Sequence, residues 1–140
     1  RKQAVTPMHI PLAPLAIHPP FAPYSQGVEV PDGQRLVFCS GQLGIGKDGN
    51  IPPDCAGQAR LCFDNIRAIL EEAGMGLENI VRINTFVAGR EHLAAYMGVR
   101  NGLFSEPLPA STLIVVSGFS RPEFVIEIEV VAAGPGAERG

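Results

Sequence analysis

The sequence predicts a single α/β (α+β) domain in which one mixed β-sheet carries two helices on one face. Residues 79–87 and 124–132 alternate along the chain as half-buried strands do. Residues 54–73 and 90–104 repeat apolar residues at helical spacing. With 140 residues, 46% of them hydrophobic and 18% charged, the chain has the length and composition for one packed core.

The first 23 residues form a proline-rich segment that we expect to be extended. Six prolines occur there, and each fixes its φ angle and lacks an N–H donor. We expect residues 1–23 to run over the surface, with one short edge strand around 15–18. The domain proper is expected at 24–133, followed by a disordered tail at 134–140.

The first half of the domain predicts a hairpin and a helix. Strand formers at 25–30 and 35–43 flank a Pro-Asp-Gly turn sequence, so we expect these strands to pair. Residues 44–49 match G-x-G-x-x-G, but the prolines that follow are incompatible with the helix that a dinucleotide motif requires. We interpret them as a loop. Asp54 is expected to cap the first helix, and Gly74 to end it.

The second half predicts a strand at 79–87, a helix at 90–104 and two final strands at 111–117 and 124–132. The order β-β-α-β-α-β-β leaves one sheet face without helices, so solvent or another subunit must cover it. The last strand places Glu127 and Glu129 on the face opposite its isoleucines. That face is either solvated, as in many antiparallel sheets, or functional, because an unpaired buried charge is costly.

Composition and charge argue against several functions. The net charge of −3 gives no electrostatic footprint for nucleic acid, which counts against ribonuclease activity. The three cysteines form no Cys-x-x-Cys motif, so we expect reduced thiols and a cytoplasmic location. The three histidines are far apart, and we predict no metal and no cofactor. No apolar run approaches transmembrane length, so we expect no membrane partner.

Three short motifs occur in order along the domain. They are Pro-Tyr-Ser-Gln-Gly at 23–27, Cys-Ser-Gly-Gln at 39–42, and Pro-Ala at 109–110 followed by Val-Ile-Glu-Ile-Glu at 125–129. Together they resemble the motifs of the Rid family, also called YjgF or endoribonuclease L-PSP. The resemblance extends from about residue 23 to residue 132. It implies the chorismate-mutase-like YjgF fold, a homotrimer, and small-molecule pockets between subunits.

The resemblance also implies a set of site residues. Tyr24 matches the tyrosine that lines the pocket, Ser40 matches a small donor near the ligand, and Glu127 matches the glutamate that holds or activates water. From the residues alone, Tyr24 is equally an ordinary packed tyrosine and Ser40 a serine bonded to local backbone. Glu129 also matches a glutamate of the family, and the role of that residue is more often structural.

One departure from the family concerns an arginine. Members that deaminate imines carry Pro-Ala-Arg, whereas this chain has Pro-Ala-Ser, with Ser111 in the position of the arginine. Serine offers one neutral hydroxyl, whereas arginine offers a charged, planar guanidinium with several donors. Met97 stands where such members often have asparagine. Arg82, Arg100 and Arg121 are candidates to replace the missing charge, although surface or packing roles are usual for arginine.

The sequence therefore predicts a Rid-family enzyme that hydrolyses or deaminates a reactive imine, enamine or related small metabolite. Because Ser111 cannot clamp a carboxylate, we expect a substrate less anionic than 2-iminopropanoate. A non-catalytic ligand-binding module is the alternative, and an endoribonuclease is supported only by a family name. Glu127 is the expected catalytic residue, and the expected substrate-binding residues are Tyr24, Ser40, Met97, Arg100 and Ser111.

Overall fold

A computed structural model describes residues 9–136. The strands are β1 (Ile10–Leu12), β2 (Gly27–Glu29), β3 (Arg35–Leu43), β4 (Ile80–Val87), β5 (Ala110–Val115) and β6 (Ile126–Gly134). The helices are α1 (Cys55–Glu71) and α2 (Leu93–Leu103), and short 3-10 turns at Leu77–Asn79 and Arg90–His92 precede β4 and α2. The predicted tail at 134–140 lies partly outside the described residues, and Gly134 still belongs to β6.

Four strands form the central sheet in the order β3-β6-β4-β5. β6 runs antiparallel to both of its neighbours, whereas β4 and β5 are parallel. A parallel pair needs a crossover connection, which α2 supplies. The mixed α+β architecture predicted from the sequence is confirmed, and β3 and β5 are the two opposite edges of this sheet.

The hairpin predicted between 25–30 and 35–43 is wrong. β2 pairs antiparallel with β1 in a separate two-stranded sheet, with Ile10 opposite Glu29. Pro31 cannot donate an N–H to the first rungs of a ladder with β3, whereas β1 supplies a long-range partner. The edge strand expected at 15–18 accordingly occurs earlier in the chain, in β1.

Helix α1 forms most of the core on the covered face of the sheet. The Asp54 carboxylate accepts a hydrogen bond from the N–H of Gly57 at 3.2 Å, which confirms the predicted N-cap. Beyond Glu71, Gly74 has φ +72°, a left-handed angle that glycine adopts without steric cost. The apolar side chains of α1 with no exposed surface are Ala59, Cys62, Phe63, Ile66 and Leu70.

Burial along β6 alternates as the sequence predicts. Its isoleucines pack under the helices, whereas Glu127 and Glu129 are half-buried on the opposite face. We call this helix-free side of the sheet the open face. It exposes large apolar side chains, including Phe38, which is 73% exposed, and Leu36, which is 51% exposed. Such exposed apolar surface is typical of an interface between proteins.

Buried Gln58 fastens the start of β6 to helix α1. Its amide nitrogen donates to the carbonyl oxygens of Pro52 and Glu123, each at 2.9 Å. Its amide oxygen accepts from the N–H of Val125 at 3.0 Å. The Gln58 amide is fully buried, and both of its N–H groups and its oxygen form hydrogen bonds. These bonds hold in place the backbone that leads into Glu127.

The thiol of Cys62 should make stability fall in alkaline solution. Burial, together with the neighbouring Cys55 thiol and the Glu127 carboxylate, raises the pKa of Cys62 from 9.0 to about 12. The unfolded chain therefore loses this proton at lower pH than the folded chain. The free energy of unfolding should fall by about 1.4 kcal/mol per pH unit as pH rises from about 9 to about 12.

Urea unfolding at about pH 8 and about pH 10.5 measures this effect. Cys62→Ala should be less stable than the wild type at the lower pH, because it leaves a cavity, yet lose less stability on going to the higher pH. An equally steep decline in both proteins would show that other groups cause it.

Candidate functional site

The candidate site residues lie at two opposite edges of the sheet. Ser40 and Glu127 lie where β3 meets β6, which we call the carboxylate edge. The other four lie at β5 and α2, which we call the arginine edge; they are Tyr24, Met97, Arg100 and Ser111. Three strand spacings of about 4.8 Å separate β3 from β5, so the two groups do not meet within one chain.

At the carboxylate edge, Glu127 lies on the open face against Gly41. A β-carbon at Gly41 would lie 2.6 Å from Oε2 and 2.9 Å from Cδ of Glu127. Gly41 occupies the irregularity in the β3–β6 pairing between Cys39 and Gln42. The absence of a side chain there allows the carboxylate to lie directly on β3.

Beside Glu127, the second carboxylate of β6 has a clear structural contact. Glu129 accepts a hydrogen bond from the side-chain nitrogen of Asn84 at 3.0 Å. The Asn84 side-chain oxygen is buried and has no partner among the described residues. A shallow depression of about 230 Å³ lies beside Asn84 and Glu129, and Phe38 and Ser40 also line it. A donor from outside the chain would satisfy that oxygen.

At the arginine edge, a cavity of about 260 Å³ opens beside β5. Ser111 pairs with Ile83, which places it on the helix-covered side of the sheet. Arg100, in the last turn of α2, is only 4% exposed and donates from Nη1 to the Ser111 hydroxyl at 3.2 Å. The residues that line the cavity are Phe21, Ala22, Tyr24, Met97, Arg100, Ser111 and Leu113.

Of the three arginines considered from the sequence, Arg100 is the one that reaches Ser111 in the described part of the chain. Arg82 is exposed and donates to the hydroxyl of Thr112 at 3.2 Å. Arg121 lies over the ring of Phe124, 5.2 Å from its centre. These two have surface and packing roles, as is usual for arginine.

Two residues that the sequence did not single out support Arg100. The guanidinium carbon lies 5.7 Å from the centre of the Tyr96 ring, one helical turn earlier. The fully buried Tyr96 hydroxyl accepts a hydrogen bond from Thr85 at 2.6 Å. Burial raises the pKa of Tyr96, while the Thr85 hydrogen bond and the charge of Arg100 act in the other direction.

Tyr24 is brought to the arginine edge by its neighbour Ser25. The Ser25 N–H donates to the Pro109 carbonyl at 3.0 Å, and its hydroxyl donates to the Leu108 carbonyl at 2.6 Å. The two motifs that are 85 positions apart in the sequence, at 24–25 and 109–110, are therefore joined through the backbone.

No group of three or more metal-ligating side chains converges within residues 9–136. In the same range, neither helix has the length and apolarity needed to cross a bilayer.

The chain is similar in sequence and in structure to known proteins. The family described as Endoribonuclease L-PSP matches residues 15–134. The chain is 36% identical over 114 residues to "Protein mmf2, mitochondrial" of Schizosaccharomyces pombe, covering 79% of this chain and 87% of that protein. It is 34% identical over 124 residues to the 2-iminobutanoate/2-iminopropanoate deaminase of Escherichia coli K12, covering 86% and 91%. The crystal structure of YyfB from Yersinia pestis, described as a Rid-family protein of unknown function, superposes with a TM-score of 0.77 at 28% identity, covering 89% and 98%.

Proposed function

Because the chain belongs to the endoribonuclease L-PSP family, also called Rid or YjgF, we propose that it hydrolyses the C=N bond of a small reactive imine or of its enamine tautomer. The observation that carries the proposal is the Glu127 carboxylate, placed on β3 where Gly41 leaves room for it. A relative from Escherichia coli is named as an imine deaminase, which supports the reaction class.

Imine hydrolysis requires a positioned water and a group that accepts its proton. In the proposed reaction Glu127 takes a proton from water as the water oxygen bonds to the imine carbon. The proton then passes to nitrogen, which gives an aminoalcohol. Glu127 next transfers the hydroxyl proton of this intermediate to nitrogen as the C–N bond breaks and the C=O bond forms, so a carbonyl compound and ammonia leave. Tyr24 and Ser40 orient the substrate through their hydroxyl groups.

We further propose a homotrimer in which the carboxylate edge of one copy meets the arginine edge of the next. Opposite edges of a sheet are brought together when copies close into a ring. The exposed Phe38 and Leu36 on the open face, and the unpartnered oxygen of Asn84, support contact with another copy. Each pocket would then contain Glu127 from one subunit and Tyr24 from its neighbour.

The reaction is tested by measuring ammonia release from imines generated in the assay, across substrates with apolar side chains of increasing size. Turnover above the rate in water supports the proposal. Binding without turnover of any of them would favour the non-catalytic module, which the loss of the family arginine at position 111 makes credible. The cytoplasmic location stays a prediction, and the relative mmf2 is mitochondrial by name.

Gly41→Ala should reduce activity without unfolding the protein. The new methyl group would meet the end of the flexible Glu127 side chain, which can move aside. Stability should change by about 1 kcal/mol or less, and the rate should fall by about 10- to 100-fold because the carboxylate is displaced. Enzyme assays and thermal melts measure both quantities.

Gly98→Ala is the matched control for this change. Gly98 is an exposed glycine of α2, and no atom lies within 4 Å of the added methyl group. It should gain about 0.5–1 kcal/mol of stability and keep its activity. An unchanged rate in Gly41→Ala would mean that the position of the Glu127 carboxylate is not critical.

A further inference from the structure

We propose that Arg100 is the anion-binding group of this pocket and that the ligand is a small organic monocarboxylate with an apolar body. The inference rests on the proposed function, because it concerns the same site. It replaces the expectation, drawn from Ser111 alone, that the ligand is less anionic.

Arg100 is a buried charge without an opposite charge beside it. Among residues 9–136, no carboxylate lies within 4.0 Å of its guanidinium; the ion pairs found there are Arg67–Asp64 and His92–Glu91. Its hydrogen-bond partners are two neutral oxygens, those of Ser111 and Asn101. Buried charges in proteins are normally paired, so an anion that enters from outside would complete this site.

Some N–H donors of the Arg100 guanidinium form no hydrogen bond within the described residues. A guanidinium has five N–H groups in a planar fork, and three hydrogen bonds to Ser111 and Asn101 are formed here. Two N–H groups remain for a ligand. A carboxylate has the planar geometry that such a fork binds with two parallel hydrogen bonds.

The Arg100 guanidinium is held in position before any ligand binds. It lies over the ring of Tyr96, and the Tyr96 hydroxyl is itself fixed by Thr85 at 2.6 Å. Both supporting residues are fully buried. An arginine that is already ordered loses little freedom on binding, which favours affinity and specificity.

The walls of the cavity define the rest of the ligand. Arg100 is the one charged side chain among the lining residues, which fits a monoanion better than a doubly charged phosphate. Met97, Leu113 and Phe21 supply apolar surface in a space of about 260 Å³. A short, branched aliphatic acid fits within this space and has matching charge and polarity.

Calorimetric titration with 3-methylbutanoate and with its uncharged amide, 3-methylbutanamide, tests the proposal in the full chain. The wild type should bind the acid at least about tenfold more tightly than the amide, and more tightly than inorganic phosphate. In Arg100→Gln the acid should lose this advantage. Arg82→Gln, which changes an exposed arginine of the open face, should bind the acid as the wild type does.

A second variant keeps the test decisive if Arg100→Gln does not fold. The double change Arg100→Gln with Ser111→Arg moves the guanidinium from the helix to the neighbouring strand, and should restore preference for the acid. Equal binding of acid and amide by the wild type would overturn the proposal. Tighter binding of phosphate, or undiminished binding of the acid by folded Arg100→Gln, would overturn it too.

These titrations measure binding and not turnover, so the two proposals fail separately. Glu127→Gln should keep the preference for the acid even where it abolishes the reaction. A protein that binds the acid through Arg100 and hydrolyses no imine would refute the proposed function and leave this inference intact.

Discussion

Glu127→Gln should lower the rate of imine hydrolysis by about 10²- to 10⁴-fold. The amide keeps the size and shape of the side chain but cannot accept the proton of the attacking water. Steady-state rates on the best imine of the substrate panel measure the effect, and thermal melts check that the fold is retained. Glu129→Gln is the matched control, because it changes the other carboxylate of the same strand face and should leave the rate close to that of the wild type.

A different result would identify a structural glutamate. If Glu127→Gln shifts the melting temperature and leaves turnover unchanged, the carboxylate serves the fold alone. The same outcome, combined with binding of the carboxylate probe, would favour the ligand-binding module.

Phe38→Asp should dissociate the proposed trimer into monomers, and the loss of the shared pocket should abolish turnover. The phenyl ring is 73% exposed on the open face, where the proposed assembly would bury it. A charge in its place should cost about 2 kcal/mol or more per interface, which is about a 30-fold higher dissociation constant. Sedimentation equilibrium at micromolar concentration measures the mass, and the imine assay measures the activity.

Leu15→Asp provides the comparison for this substitution. Leu15 is fully exposed but lies in the N-terminal segment and not on the sheet, so its replacement should leave the assembly unchanged. A wild-type protein that sediments as a monomer would refute the shared pocket. A trimer that survives in Phe38→Asp would place the interface elsewhere.

The fold could be predicted from the sequence wherever the pattern was local. The period-2 alternation in β6 and the Asp54 cap of α1 each depend on residues close together in the chain, and both are confirmed. The hairpin prediction failed because strand pairing is a long-range property. Nothing local to 25–35 shows that β1, some 15 residues earlier, is the partner of β2.

The candidate site could be predicted in part. The resemblance identified Tyr24 and Ser111, which share a cavity. Arg100 was one of three arginines that could replace the missing charge, but nothing in the sequence showed that it hydrogen-bonds to Ser111. That contact depends on how α2 lies along β5, and a sequence motif does not specify helix packing. Tyr96 was missed for the same reason, although its position one turn before Arg100 was an available signal.

The separation of the two edges has an evolutionary consequence. Substitutions more than about 7–10 Å apart with no shared partners usually have additive effects on stability. Within one chain, Glu127 of β6 can therefore be kept without loss of stability while residues of β5 and α2 are exchanged. Selection for a different ligand would then act mainly on the arginine edge, and selection on proton transfer would act on the carboxylate edge. A chain with Glu127 in place and Ser111 beside a helical arginine is one product that such independent drift allows.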